Sequence, residues 1–146
     1  MYNKILVPLD GSKMAECVLE EMKTVARGCN VPEVILLFVA EPISAGLYQS
    51  STEGREKLIA WGKDYLAKVE KSLLTENIRV KGLVLEGKAA DTIVDYTHKN
   101  QIDLVVMSTH GWSGPSRWAF GSVADRVIRT SSVSVLIVVP KECRIG

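Results

Sequence analysis

Val34-Ile35-Leu36-Leu37-Phe38-Val39-Ala40 is a run of seven residues with no polar side chain. A strand with one face in water alternates apolar and polar residues, whereas a strand covered on both faces does not need to. The run therefore reads as a strand buried on both sides, and such strands belong to parallel sheets flanked by helices. Two other stretches match it, Ile5-Leu6-Val7 and Leu104 to Met107, and Val133 to Val139, apolar but for Ser134, reads as the last strand, stopped by Pro140. Ile78 to Leu85 opens with alternation at Ile78 and Val80, which suits an edge strand with one wet face.

The segments between these strands carry helical spacing. Met14, Val18, Met22 and Val25 recur at helical intervals from Lys13 to Arg27, with Ser12 as the expected N-cap and Gly28 as the expected stop. Leu58, Trp61, Tyr65, Val69 and Leu73 mark a long amphipathic helix. Gly87 turns the chain into a short helix carrying Ile93 and Val94, and Val123, Val127 and Ile128 trace one face of a last helix. The order βαβαβαβαβ predicts an α/β fold: a three-layer sandwich with a five-stranded, mostly parallel sheet. At 146 residues the chain is expected to form one domain, residues 1–146. Residues 41–54 fit neither pattern and are expected to form a flexible lid loop over a binding site.

Bulk composition narrows the function. Eighteen Lys and Arg against 17 Asp and Glu leave a net charge of +1, so neither nucleic acid nor an anionic membrane is an expected partner. No apolar run reaches the roughly 20 residues that span a bilayer, and a cytoplasmic location is expected. Cys17, Cys29 and Cys143 show no disulfide or zinc pattern, and Cys17 is expected as a small buried thiol in the first helix.

In open α/β sheets ligands bind beyond the C-terminal strand ends, where neighbouring connections leave on opposite faces. Pro8, Leu9 and Asp10 follow the first strand, Val39 closes the second, and Met107 closes the fourth. After Met107 comes Ser108-Thr109-His110-Gly111-Trp112-Ser113-Gly114, running on through Arg117 and Phe120 to Gly121-Ser122-Val123. Phosphates approach backbone N–H groups most closely where no Cβ intervenes, and a helix N-terminus adds unpaired donors and a favourable dipole. Gly111, Gly114 and Gly121 supply the first feature, and the helix starting near Ser122 supplies the second. No Walker A loop occurs and no G-x-G-x-x-G follows the first strand. A purely structural reading stays open here, because Ser122 and Asp125 also have the spacing of a capping box.

The chain resembles the universal stress protein family. Members that bind nucleotide carry G-x2-G-x9-G-[ST] after the fourth strand, and the matching stretch is Ser108-x2-Gly111-x9-Gly121-Ser122. Ser108 stands where the motif has its first glycine. Lys4 to Ser12, Glu86-Gly87-Lys88-Ala89 and the final apolar strand also resemble the family. The resemblance implies a strand order of 3-2-1-4-5 and ATP, or alternatively ADP or AMP, as ligand, with Mg²⁺ as a companion. Asp10 would then contact ribose or a metal-bridged phosphate. Pro8, Val39 and Met107 would line the adenine pocket, while Gly111, Gly121 and Ser122 would hold phosphates. His110 and Arg117 are further candidates for ligand contact. The family resemblance and the apolar edge together imply a homodimer through strand 133–139. The expected role is a stress-response sensor or signalling module. A slow ATP-hydrolysing enzyme and a protein-interaction module with a vestigial pocket are the alternatives; no catalytic constellation stands out.

Overall fold

The computed structural model describes residues 1–41, 52–109 and 121–140. Five strands form one sheet: β1 (Lys4–Pro8), β2 (Glu33–Ala40), β3 (Val80–Glu86), β4 (Leu104–Ser108) and β5 (Ser134–Val138). Their order is β3-β2-β1-β4-β5 and every pairing is parallel. The α/β sandwich and its 3-2-1-4-5 order are as expected. In register, Ile5 lies opposite Val34 on one side and Leu104 on the other, so β1 sits at the centre.

Alternation along each strand divides the core in two. Ile5, Val7, Val34, Leu36 and Phe38 face α2 (Val18–Gly28) and α3 (Thr52–Leu73), where Val18, Met22, Leu66 and Val69 pack against them. Leu6, Ile35, Leu37, Val105 and Met107 face α4 (Ala89–Lys99) and α5 (Ser122–Thr130), meeting Ile93, Ala124 and Val127. Strands covered on both faces gain nothing from polar residues, which explains the uninterrupted apolar runs.

Several boundaries depart from the sequence reading, each for a local reason. The expected helix from Lys13 is interrupted at Cys17, leaving α1 (Lys13–Glu16) ahead of α2, and Cys17 is only half-buried. Ser12 does cap α1: its hydroxyl accepts the Ala15 N–H at 3.0 Å. Gly28 lies inside α2, and the stop comes from Asn30 at φ 51°, with the Val31 N–H reaching back to the Ala26 carbonyl at 2.9 Å. That is a Schellman closure with asparagine in the left-handed position usually taken by glycine. Ile128 is 41% exposed, so the inward face of α5 is Ala124 and Val127. Of the expected lid, Thr52 to Gly54 form the first turn of α3, and residues 42–51 lie outside the described residues. Glu41 precedes them with its carboxylate accepting the Ala89 N–H at 3.2 Å.

Candidate functional site

A cavity of about 260 Å³ opens at the C-terminal ends of β1 and β4. The position follows from the topology. β1 continues into α1 and α2 on one face of the sheet, β4 into α5 on the other, and the diverging chains leave a crevice. Pro8, Leu9, Asp10, Val39, Met107, Ser108, Gly121, Ser122 and Val123, all candidates from the sequence, line it together. His110, Gly111, Gly114, Arg117 and Phe120 lie outside the described residues.

The cavity also takes in Ala15, Leu37, Ala89, Ile93, Thr109 and Ala124, which the sequence reading did not nominate as site residues. Ala89 had a signal, since it ends the Glu86-Gly87-Lys88-Ala89 stretch. Thr109 had one too, since it lies in the stretch that follows β4. Ala15, Leu37, Ile93 and Ala124 had none: they are ordinary core or helix residues whose proximity depends on how α1, α4 and α5 meet the sheet.

One end of the crevice is apolar, formed by Leu37, Val39, Ile93 and Met107. At the other end Asp10 is held by its neighbour: the Ser12 N–H and hydroxyl both donate to Asp10 Oδ1, at 2.9 and 2.6 Å. The same Ser12 caps α1, so the carboxylate is tied to a helix start as well as to a strand end.

The N-terminus of α5 forms the polar rim. Gly121 is its N-cap, at φ −69° and ψ 160°, and among the described residues no side chain caps the helix. The capping-box reading is therefore overturned: Ser122 is the first helical residue, and Asp125 instead pairs with Arg129 at 3.0 Å. The Gly121 N–H is already committed to the Thr109 carbonyl at 2.6 Å, and Thr109 in turn donates to the Val138 carbonyl. The first bond inside the helix runs from Asp125 N–H to the Gly121 carbonyl at 2.9 Å. The N–H groups of Ser122, Val123 and Ala124 thus precede the helical ladder at the wall of the cavity. Oriented donors of this kind, backed by a helix dipole, suit an anion.

Behind Asp10 stands an aromatic group from β2 and α3. Trp61 stacks on Tyr65 with ring centres 5.5 Å apart, and Phe38 tilts against both. Among the described residues the buried Tyr65 hydroxyl has no hydrogen-bond partner. Burial chiefly, and then the carboxylates of Glu16 and Asp10, push its phenol well above the ordinary tyrosine range. An unfolded tyrosine ionises near pH 10. The fold's preference for neutral Tyr65 is thus fully present below about pH 10 and is lost as pH rises beyond it. In a tyrosinate absorbance titration Tyr65 should ionise well above the ordinary tyrosine range, and Tyr65→Phe should remove that late step. Tyr65→Phe should flatten the loss of stability above pH 10, and an unchanged alkaline denaturation curve would contradict this.

Among the described residues no cluster of three or more His, Cys, Asp or Glu could hold a metal ion unaided. Among the same residues no helix is long and apolar enough to cross a membrane.

Comparison with known proteins matches residues 1–139 to the universal stress protein family. The chain is 32% identical to universal stress protein MJ0531 of Methanocaldococcus jannaschii over 141 residues, covering 94% of this chain and 82% of the relative. The solved structure of MJ0577 from the same organism has a TM-score of 0.86 at 30% identity, covering 97% of this chain and 98% of that one. A solved universal stress protein family protein from Arabidopsis thaliana, with AMP bound, shares the fold at a TM-score of 0.71 and 14% identity, covering 95% and 92% of the two chains.

Proposed function

The chain belongs to the universal stress protein family, and from that premise we propose that it binds an adenine nucleotide, ATP in the first instance, as a sensor or signalling module of a cytoplasmic stress response. The observation that carries the reading is the start of α5, uncapped by any side chain among the described residues and lining the cavity with Gly121, Ser122 and Val123. The apolar end at Val39 and Met107 suits a planar base, with the backbone of Val39 reading its edge. Asp10, at the end away from that apolar lining, suits ribose. That a protein of the same fold holds AMP supports this assignment. Where Mg²⁺ accompanies the nucleotide, the Asp10 carboxylate is the group to share it with phosphate oxygens, as magnesium sites built from one carboxylate and substrate phosphates do.

Two measurements test the reading. Small molecules released from the purified protein on denaturation should include an adenine nucleotide, and calorimetric titration of ATP into the stripped protein should show one site per chain. A folded protein that copurifies with no nucleotide and takes up none would refute it.

The proposal includes a homodimer through β5. This strand is the last in the sheet, paired with β4 among the described residues, and an unpaired apolar edge invites a second copy. A two-fold axis would set it antiparallel to itself. Val139, which follows the strand and is 37% exposed, is the position to charge. Val139→Asp should give a monomer in sedimentation velocity at concentrations where the wild type is dimeric. A wild-type monomer at high micromolar concentration would contradict the dimer.

A further inference from the structure

We propose that Trp61 is a positioning residue for Asp10, acting from α3 through the glycine turn that follows β1. Gly11 adopts φ +89°, a conformation that strongly favours glycine. The space a side chain would occupy there is filled by the indole of Trp61: a Cβ on residue 11 would lie 2.8 Å from Trp61 Cζ3 and nearer still to Cη2. The glycine and the tryptophan are therefore complementary, the first leaving a gap and the second closing it. On either side of Gly11 stand Asp10 and Ser12, whose hydrogen bonds at 2.9 and 2.6 Å fix the carboxylate at the cavity wall.

A bare glycine turn has more freedom than any other. Without a cover, that freedom would fall on the turn that carries Asp10 and Ser12. Trp61 supplies the cover, and its own position is set by stacking on Tyr65 and by Gly62, where a Cβ would meet Phe38 Cε1 at 2.7 Å. Trp61 does not itself line the cavity. The indole acts on the ligand only through the direction of the Asp10 carboxylate, so this half of the inference rests on the nucleotide reading above.

The first test needs no ligand. Amide exchange measured by NMR on the nucleotide-free chain should show Ser12 exchanging about tenfold faster or more in Trp61→Ala, because its N–H loses a fixed acceptor. Leu36 and Val105, in the central strands, should keep their protection, and Trp61→Phe should restore part of that of Ser12. Should Trp61→Ala fail to fold, Trp61→Leu carries the same measurement. Unchanged Ser12 protection would overturn the proposal, as would equal acceleration of Ser12 and the core amides, which would mark the indole as packing alone. The second test is a double-mutant cycle read by ATP titration. Trp61→Ala and Asp10→Asn should each weaken binding by about tenfold, and the double variant should bind no more weakly than Asp10→Asn. Additive losses would overturn the proposal. A wild-type chain that binds no ATP would remove the nucleotide reading, and Ser12 exchange would still decide whether Trp61 positions Asp10.

Discussion

Replacing Gly121 with valine is expected to lower the affinity for the proposed ligand, ATP, by about 2–4 kcal/mol, a loss of roughly thirty-fold or more, in a protein that still folds. The fold survives because Gly121 has φ −69° and ψ 160°, an extended backbone that valine adopts readily. Its N–H bond to the Thr109 carbonyl is likewise unaffected by a side chain. Binding suffers because a branched Cβ would stand at the mouth of α5, in front of the Ser122 and Val123 donors. Ser122→Ala should cost only about 1 kcal/mol of affinity, since one hydroxyl goes while the backbone donors and the dipole remain. Because Ser122 is inside the helix and caps nothing, that variant should also keep the wild-type melting temperature. Titration calorimetry on both variants, paired with their melting curves, separates these effects. Wild-type affinity in a folded Gly121→Val protein would leave the proposed phosphate site without support.

Leu36→Ala is expected to cost about 3–4 kcal/mol of stability, combining lost transfer energy with a cavity that its neighbours cannot close. Leu36 is fully buried at the middle of β2, opposite Val7 on one side and Gly82 on the other. Its side chain points into the layer shared with α2 and α3. Parallel strands on both sides hold the backbone in place, so the gap persists. The melting temperature should fall by roughly 10 °C, and the urea midpoint should drop with the slope unchanged. Leu74→Ala is the control: that side chain is 75% exposed, and its loss should stay within about 0.5 kcal/mol. A Leu36→Ala loss as small as the control's would mean that β2 is not tightly packed between the helix layers.

Much of the site was legible before the structure because strand ends are. Pro8, Asp10, Val39, Met107 and Ser108 were nominated as residues closing or following buried strands, and the parallel sheet places all those ends on one rim. Gly121 and Ser122 were legible as a glycine before a helix. Their roles were harder to assign. Spacing alone made Ser122 and Asp125 a capping pair, yet the chain starts α5 one residue earlier, and Asp125 turns to Arg129. A hydrogen-bond pattern shifted by one residue leaves the sequence spacing unchanged, so no inspection of the sequence distinguishes the two.

The amino-acid sequence by itself determined which segments are strands, which are helices, and which strands are covered on both faces. These are properties of side-chain periodicity, and periodicity is local. Tertiary structure alone decided which buried strand lies beside which, and hence that β1 and β4 adjoin: Ile5 pairs with Leu104 across most of the chain. It also decided that the left-handed residue closing α2 is Asn30 and not Gly28, and that Ala15, Ile93 and Ala124 line one cavity. Gly11 shows the division most clearly. Its place in a turn after β1 is written in Leu9-Asp10-Gly11-Ser12, but the indole that covers it comes from a helix on the far side of β2 in sequence. A local pattern records how much surface a residue must bury. The partner that buries it is set by the packing of the whole chain.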